Sequence, residues 1–205
     1  MKPFGCRIQT IVFILFIALA TYDCTPKNYL VVRYQLPSET SSTKEAQISL
    51  IFDDQRTEPS VATKDAKMAL KDFEGNFTLI VASDDKNERL MGAFSLSSMM
   101  TTIFKQRFEN AGVRVAPATE SQPTAVEIIL KEFRLDLVKR KWVIQMTYQA
   151  NLLEQARFVG GQTITANAER LRVVGSKDAE KVIGELVTDA VNRLNLDQLF
   201  HSSSN

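Results

Sequence analysis

Histidine and cysteine are scarce in this 205-residue chain, which has one histidine, His201, and two cysteines, Cys6 and Cys24. That scarcity removes zinc centres built from Cys and His. A histidine general base is equally ill served, because His201 belongs to the polar tail "HSSSN", where no packing would hold it. Charge of one sign is also lacking. There are 25 lysines and arginines against 24 aspartates and glutamates, and without residues 1–23, which hold Lys2, Arg7 and Asp23, 23 of each remain. A neutral balance offers no electrostatic footprint for nucleic acid, whose binders carry a basic stripe or patch. "SDDKNER", residues 83–89, gathers Asp84, Asp85, Asn87 and Glu88 but lacks the glycine and closing glutamate of a calcium loop, so it reads as a solvated turn. No catalytic motif stands out. The expectation is a chain with no enzymatic activity, metal or cofactor.

A long apolar run is lacking too, and what stands in its place sets the compartment. Lys2 and Arg7 precede an uncharged stretch from Ile8 to Tyr22 with "IVFILFIALA" at its centre. This is the positive region and apolar region of an export signal, shorter than the about 20 residues a spanning helix needs. Two processing sites are open. "LATYDC" would make Cys24 the acylated first residue of a lipoprotein, although Asp23 and Tyr22 stand where small side chains are preferred. "ALA", residues 18–20, would instead release a soluble chain starting at Thr21. The cysteine count bears on the choice, because a lone thiol in an oxidising compartment is awkward unless modified or paired.

Beyond the signal, residues 1–23, the chain divides into a tether and first strand over 24–45, one domain over 46–200 and a disordered tail over 201–205. "YLVVRYQL" and "AQISLIFDD" read as strands flanking a Ser/Thr-rich loop, and the second places Ala46, Ile48, Leu50 and Phe52 on one face. "QRTEPSVATKDAKMALKDFEGN" is a polar excursion ending in a Gly-Asn turn, with either a short helix or nothing regular inside it, and "FTLIVAS" is a third strand. "SLSSMMTTIFKQRFENAG" predicts an amphipathic helix, with Ser95 as N-cap, Gly112 past its end, and Leu96, Met99, Met100, Ile103, Phe104, Phe108 and Ala111 on its buried stripe.

After "VRVA", two long arms face each other across "KRK", and a change of apolar phase in the first arm predicts a β-bulge near Lys131 and Glu132. A further strand over "FVGGQTITANAERLRVV" and a last amphipathic helix, with Ser176 as candidate cap, complete the order. The expected fold is α+β, a mostly antiparallel sheet with two amphipathic helices packed on one face.

Few polar clusters invite a role. "FDDQR", residues 52–56, ends a core strand, and Asp54 with Arg56 is expected as a structural pair; Asp53, Asp54 and Arg56 as an acid/base site is the remote alternative. Lys139, Arg140 and Lys141 concentrate charge at the hairpin tip, an exposed turn or a contact for a partner or an anionic headgroup. "NFT" at 76–78 matches a glycosylation acceptor. A soluble ligand-binding module would hold its ligand in an enclosed pocket lined by residues such as Phe104, Phe108, Trp142 and Tyr148.

Taken together, Cys24 at the end of the signal, "YLVVRYQLP", "ISLIFDDQR", the helix ending "RFENAGVRV" and the hairpin before the last helix resemble the YajG family of small bacterial lipoproteins. More distantly, they resemble LptE and the auxiliary lipoproteins of ABC transport systems. The resemblance implies a non-catalytic protein held by a lipid (palmitate among its acyl chains) on Cys24, facing the periplasm at the outer membrane rather than the inner. The signal, Cys24, the absence of catalytic residues and the compact α+β pattern point further to an accessory or assembly component that binds another envelope protein or transport system, and the neutral charge balance to no nucleic acid partner. The soluble module released after Ala20 is the alternative.

Overall fold

A computed structural model describes residues 28–38, 46–71, 73–83, 87–117, 120 and 122–201. The signal, Cys24, most of the Ser/Thr-rich loop, Asp84 and Asp85 lie outside them. Among the described residues the chain forms β1 (Asn28–Gln35), β2 (Gln47–Asp54), α1 (Lys64–Leu70), β3 (Phe73–Ala82), β4 (Glu88–Ser95) and α2 (Leu96–Asn110). There follow β5 (Arg114–Val115), β6 (Thr124–Val138), β7 (Lys141–Glu154), β8 (Arg157–Leu171), α3 (Ser176–Asn192) and α4 (Leu196–His201). His201 therefore closes a short helix instead of opening a tail.

The α+β class holds, but the strands do not make one mostly antiparallel sheet. They form two mixed sheets, ordered β1-β3-β4 and β5-β2-β6-β7-β8. β1 is parallel to β3, and β2 is parallel to both β5 and β6; the remaining pairs are antiparallel. The parallel partners are joined by long connections that carry α1 and α2, the length a parallel crossover requires. Nor do the helices share one face of a single sheet. α2 touches β2 and β5 of the five-stranded sheet as well as β3 and β4 of the three-stranded one, and α3 touches β1 as well as β7 and β8. Each helix bridges the two sheets.

Local chemistry explains most elements. The α2 stripe is buried residue for residue, Ser95 accepts the Ser98 N–H, and Gly112 takes φ +81° just past the end. In β6 the register slips between Leu130 and Glu132, leaving Lys131 as the extra residue, and the apolar phase changes there for that reason. The hairpin turns are Lys139-Arg140 and Gln155-Ala156, and all four residues have positive φ, the geometry that matches the twist of two-residue hairpins. Gly75 and Asn76 do not form a turn. They lie within β3, where the pairing with β1 jumps from Asn28–Phe73 to Leu30–Phe77, and Gly75 supplies φ +88° at the irregularity.

The core joins the layers. Phe77 of β3 meets Phe133 of β6 edge to face at 6.4 Å, and Phe104 of α2 meets Tyr148 of β7 at 5.1 Å. α3 buries Val182, Ile183, Leu186, Val187 and Ala190, and the Tyr148 hydroxyl donates to its Ala190 carbonyl at 3.0 Å. Ser176 is its first residue and does not cap it; Gly175 holds the cap position. On the β1 side the contact is closer still: a Cβ on Gly184 would stand 2.8 Å from the Arg33 carbonyl oxygen.

This contact yields a prediction of sign. Replacing a mid-helix glycine by alanine gains about 1 kcal/mol of helix propensity, whereas overpacking against backbone costs typically about 1–3 kcal/mol. Gly184→Ala is expected to lower stability, by up to about 2 kcal/mol in urea unfolding. A gain near the propensity value would mean that α3 is not seated on β1.

Candidate functional site

Asp54 leaves the end of β2 and Arg56 folds back on it two residues later. Arg56 Nε donates to Asp54 Oδ1 at 2.8 Å and Nη2 donates to Oδ2 at 2.9 Å, a bidentate pair in which the arginine side chain is almost fully buried. Arg56 also reaches the Phe133 carbonyl, and the Ser97 hydroxyl reaches Asp54. The guanidinium holds the Asp54 carboxyl below the usual carboxylate range. Asp53 faces elsewhere, accepting from the Gln55 amide at 2.5 Å. The two carboxylates therefore have separate partners, and the arrangement closes the strand end.

Lys139, Arg140 and Lys141 occupy the tip of the β6–β7 hairpin. Asp54 pairs with Leu130, and Leu130 precedes the tip by about eight residues of β6, about 25 Å at strand rise. The structure thus does not bring the two sequence-predicted clusters together. Lys141 pairs with Glu169 at 2.7 Å. Beside the tip, Trp142 donates from Nε1 to the Gly175 carbonyl at 3.1 Å, and the Arg172 guanidinium lies 5.9 Å above its ring. Cys24 lies outside the described residues.

Phe104, Phe108, Trp142 and Tyr148 are each fully buried core residues. They do not line an enclosed ligand pocket, because their rings fill the space between the helices and sheets.

Among the described residues, an open groove of about 680 Å³ lies elsewhere, between β1 and α3. Val31, Arg33 and Gln35 form one wall; Lys177, Glu180, Lys181, Gly184, Glu185, Thr188 and Asp189 form the other. β1 is the edge of its sheet, so outward N–H groups need partners. Glu180 accepts from Val31 N at 3.2 Å and Thr188 Oγ1 accepts from Gln35 N at 3.1 Å. Asn192 links the Tyr34 hydroxyl, at 2.9 Å, to the Gln35 carbonyl, at 3.0 Å. The only sequence signal for this groove is Gly184, a small residue inside an otherwise regular amphipathic helix.

Half-buried Arg107 and buried Asp178 complete the electrostatics. Arg107 of α2 lies near Tyr34 and Tyr148, burial lowers its pKa, and its Nε has no hydrogen-bond partner among the described residues. Burial likewise raises both tyrosines, so they stay neutral donors. Asp178 accepts the Val174 and Val173 backbone N–H groups through Oδ2, which holds its carboxyl below the usual range and fixes the loop before α3.

The sequence matches no protein-family model and no curated protein. Among solved structures, the fold is similar to that of a Xanthomonas campestris protein of family DUF330, at 14% identity and a TM-score of 0.54, covering 85% of this chain and 97% of that one. That likeness shows a shared fold. A hypothetical protein of Chlamydia trachomatis gives a TM-score of 0.44 at 8% identity, covering 79% and 100% of the two chains. A minor lipoprotein of Acinetobacter baumannii gives 0.35 at 13% identity, covering 77% and 96%. These last two likenesses are too low to carry an argument.

Asp54 and Asp178 both have folded-state pKa values depressed below the unfolded value of about 3.9. Their stabilisation is therefore complete above that value and is lost as pH falls through the folded values. Asp178→Asn should melt below the wild type at pH 7, with the gap narrowing steadily in thermal melts taken down to about pH 3, as the wild-type carboxyl itself protonates. A gap independent of pH would contradict the assigned cause.

Proposed function

We propose that the chain is a non-catalytic lipoprotein of the bacterial envelope, an accessory or assembly component that binds another envelope protein or transport system. In this reading Cys24 carries the lipid and the domain faces the periplasm, at the outer membrane rather than the inner. The resemblance to YajG-like lipoproteins belongs to the same proposal.

The observation that carries it is the groove beside β1. It is open, its lining is mainly carbon, and it runs along the seam where α3 covers the β1 edge. Such a groove suits a partner segment laid along the seam through its side chains, while the bonds from Glu180 and Thr188 keep the β1 edge itself from pairing. The start of β1 adds support. Asn28 follows Cys24 by four residues, a reach of at most about 14 Å, so an acylated Cys24 would hold the domain, and this groove with it, close to the bilayer. The soluble ligand-binding alternative, motivated by the processing site at residues 18–20, lacks the pocket it predicts, since the aromatic residues assigned to that pocket have no exposed surface.

The test is site-specific photo-crosslinking in intact cells. A photoreactive residue replacing Lys181 or Glu185 in the groove is expected to capture one and the same envelope protein. The same residue replacing Phe158, in the β7–β8 hairpin and outside the groove, is expected not to. Equal capture from all three positions, or no adduct from the groove, would overturn the reading.

A further inference from the structure

The far end of β6 and β7 carries more than its turn. Arg172 N donates to the Arg140 carbonyl at 2.8 Å, and Trp142 donates to the Gly175 carbonyl at 3.1 Å. The loop from β8 to α3 is therefore fastened beside the hairpin tip. That loop exposes aliphatic side chains to an unusual degree: Val173 is 81% exposed, Val174 61% and Leu171 59%, with Val138 at 46% on the neighbouring arm. Asp178 turns both valine N–H groups inward and leaves their side chains outward. Burying such side chains in an apolar phase is favourable, so leaving four of them together in water is costly.

Their surroundings say what would cover them. Residues 138–141 and 169–178 hold six cations and two carboxylates. Glu169 is already bonded to Lys141, and Asp178 is occupied by the loop backbone. Arg170 turns away to Glu185, which leaves Lys139, Arg140, Arg172 and Lys177 around the exposed valines. Aliphatic side chains ringed by lysine and arginine match the apolar and anionic layers of a lipid surface. The same end holds the start of the domain. The Val31 N–H is bonded to Glu180, one turn into α3, so β1 begins where α3 begins, beside this loop.

We infer that this end is a membrane-docking face, in which Val173 and Val174 enter an anionic bilayer while Lys139, Arg140, Arg172 and Lys177 engage its headgroups. The inference rests on the membrane-anchored reading for its geometry, since anchoring at Cys24 would present this end to the lipid. The acyl chains on Cys24 would hold the domain at the membrane, and the face would orient it, and the β1 groove with it, relative to the bilayer.

The experiment uses the full chain reconstituted into vesicles, with an environment-sensitive fluorescent residue replacing Val174 or, as control, Phe158. In phosphatidylglycerol-containing vesicles the probe at 174 should shift to the blue and be quenched several-fold more by brominated lipids than the probe at 158. Lys139→Glu with Arg140→Glu should bring the quenching at 174 down to the level of the 158 probe, because each basic residue near an anionic surface contributes to the attraction. A sedimenting chain whose 174 probe stays in water overturns this inference and leaves the anchor intact. Equal insertion into pure phosphatidylcholine overturns the headgroup role. Burial of the probe only in native envelopes assigns the face to a protein instead, and a chain that does not sediment removes anchor and inference together.

Discussion

The architecture depends on the seating of α3. A glycine at 184 lets the helix approach the Arg33 backbone so closely that no Cβ fits between them, while the opposite side of the helix packs on β7 and β8. One helix thereby ties the edge of the three-stranded sheet to the end of the five-stranded one. The polar fastenings follow the same line: Glu180, Thr188 and Asn192 toward β1, Ala190 and Glu185 toward β7 and β8. Because α3 runs alongside β1, its start, the start of β1 and the β6–β7 tip share one end of the molecule. Groove and basic aliphatic face are both consequences of that single placement.

Much of this order was legible in the chain. The α2 stripe and its Ser95 cap, the long hairpin and the bulge at Lys131 follow from periodicities and turn chemistry that act within a few residues. Other elements were hidden for physical reasons. β4, "ERLMGAFS", exposes Leu90 and contains Gly92, so it lacks the alternation of a half-buried strand. α1 is seven residues long and buries only Ala66 and Leu70. The parallel pairing of β1 with β3 and of β2 with β6 leaves no local mark, because alternation identifies a buried face but not the direction of the neighbouring strand.

The site was legible only where it is local. Asp54 and Arg56, two residues apart, form a pair that a strand-end motif suggests, and the tip lysines and arginine were visible as a charge cluster. The groove required β1 and α3, about 150 residues apart in sequence, to meet. The exposed Val173 and Val174 look in the sequence like the continuation of a strand, and only the Asp178 carboxylate, drawing in their backbone, explains why the strand stops at Leu171. The aromatic residues that suggested a pocket instead show how bulky side chains can serve as mortar between layers.

A lipid-anchored domain standing directly on the membrane is the claim from which the rest of the functional account follows. Its most direct test is the intact mass of the mature amino terminus from native membranes. The account predicts a chain that begins at Cys24 and carries acyl groups. A chain beginning at Thr21 with a free thiol on Cys24 would contradict it.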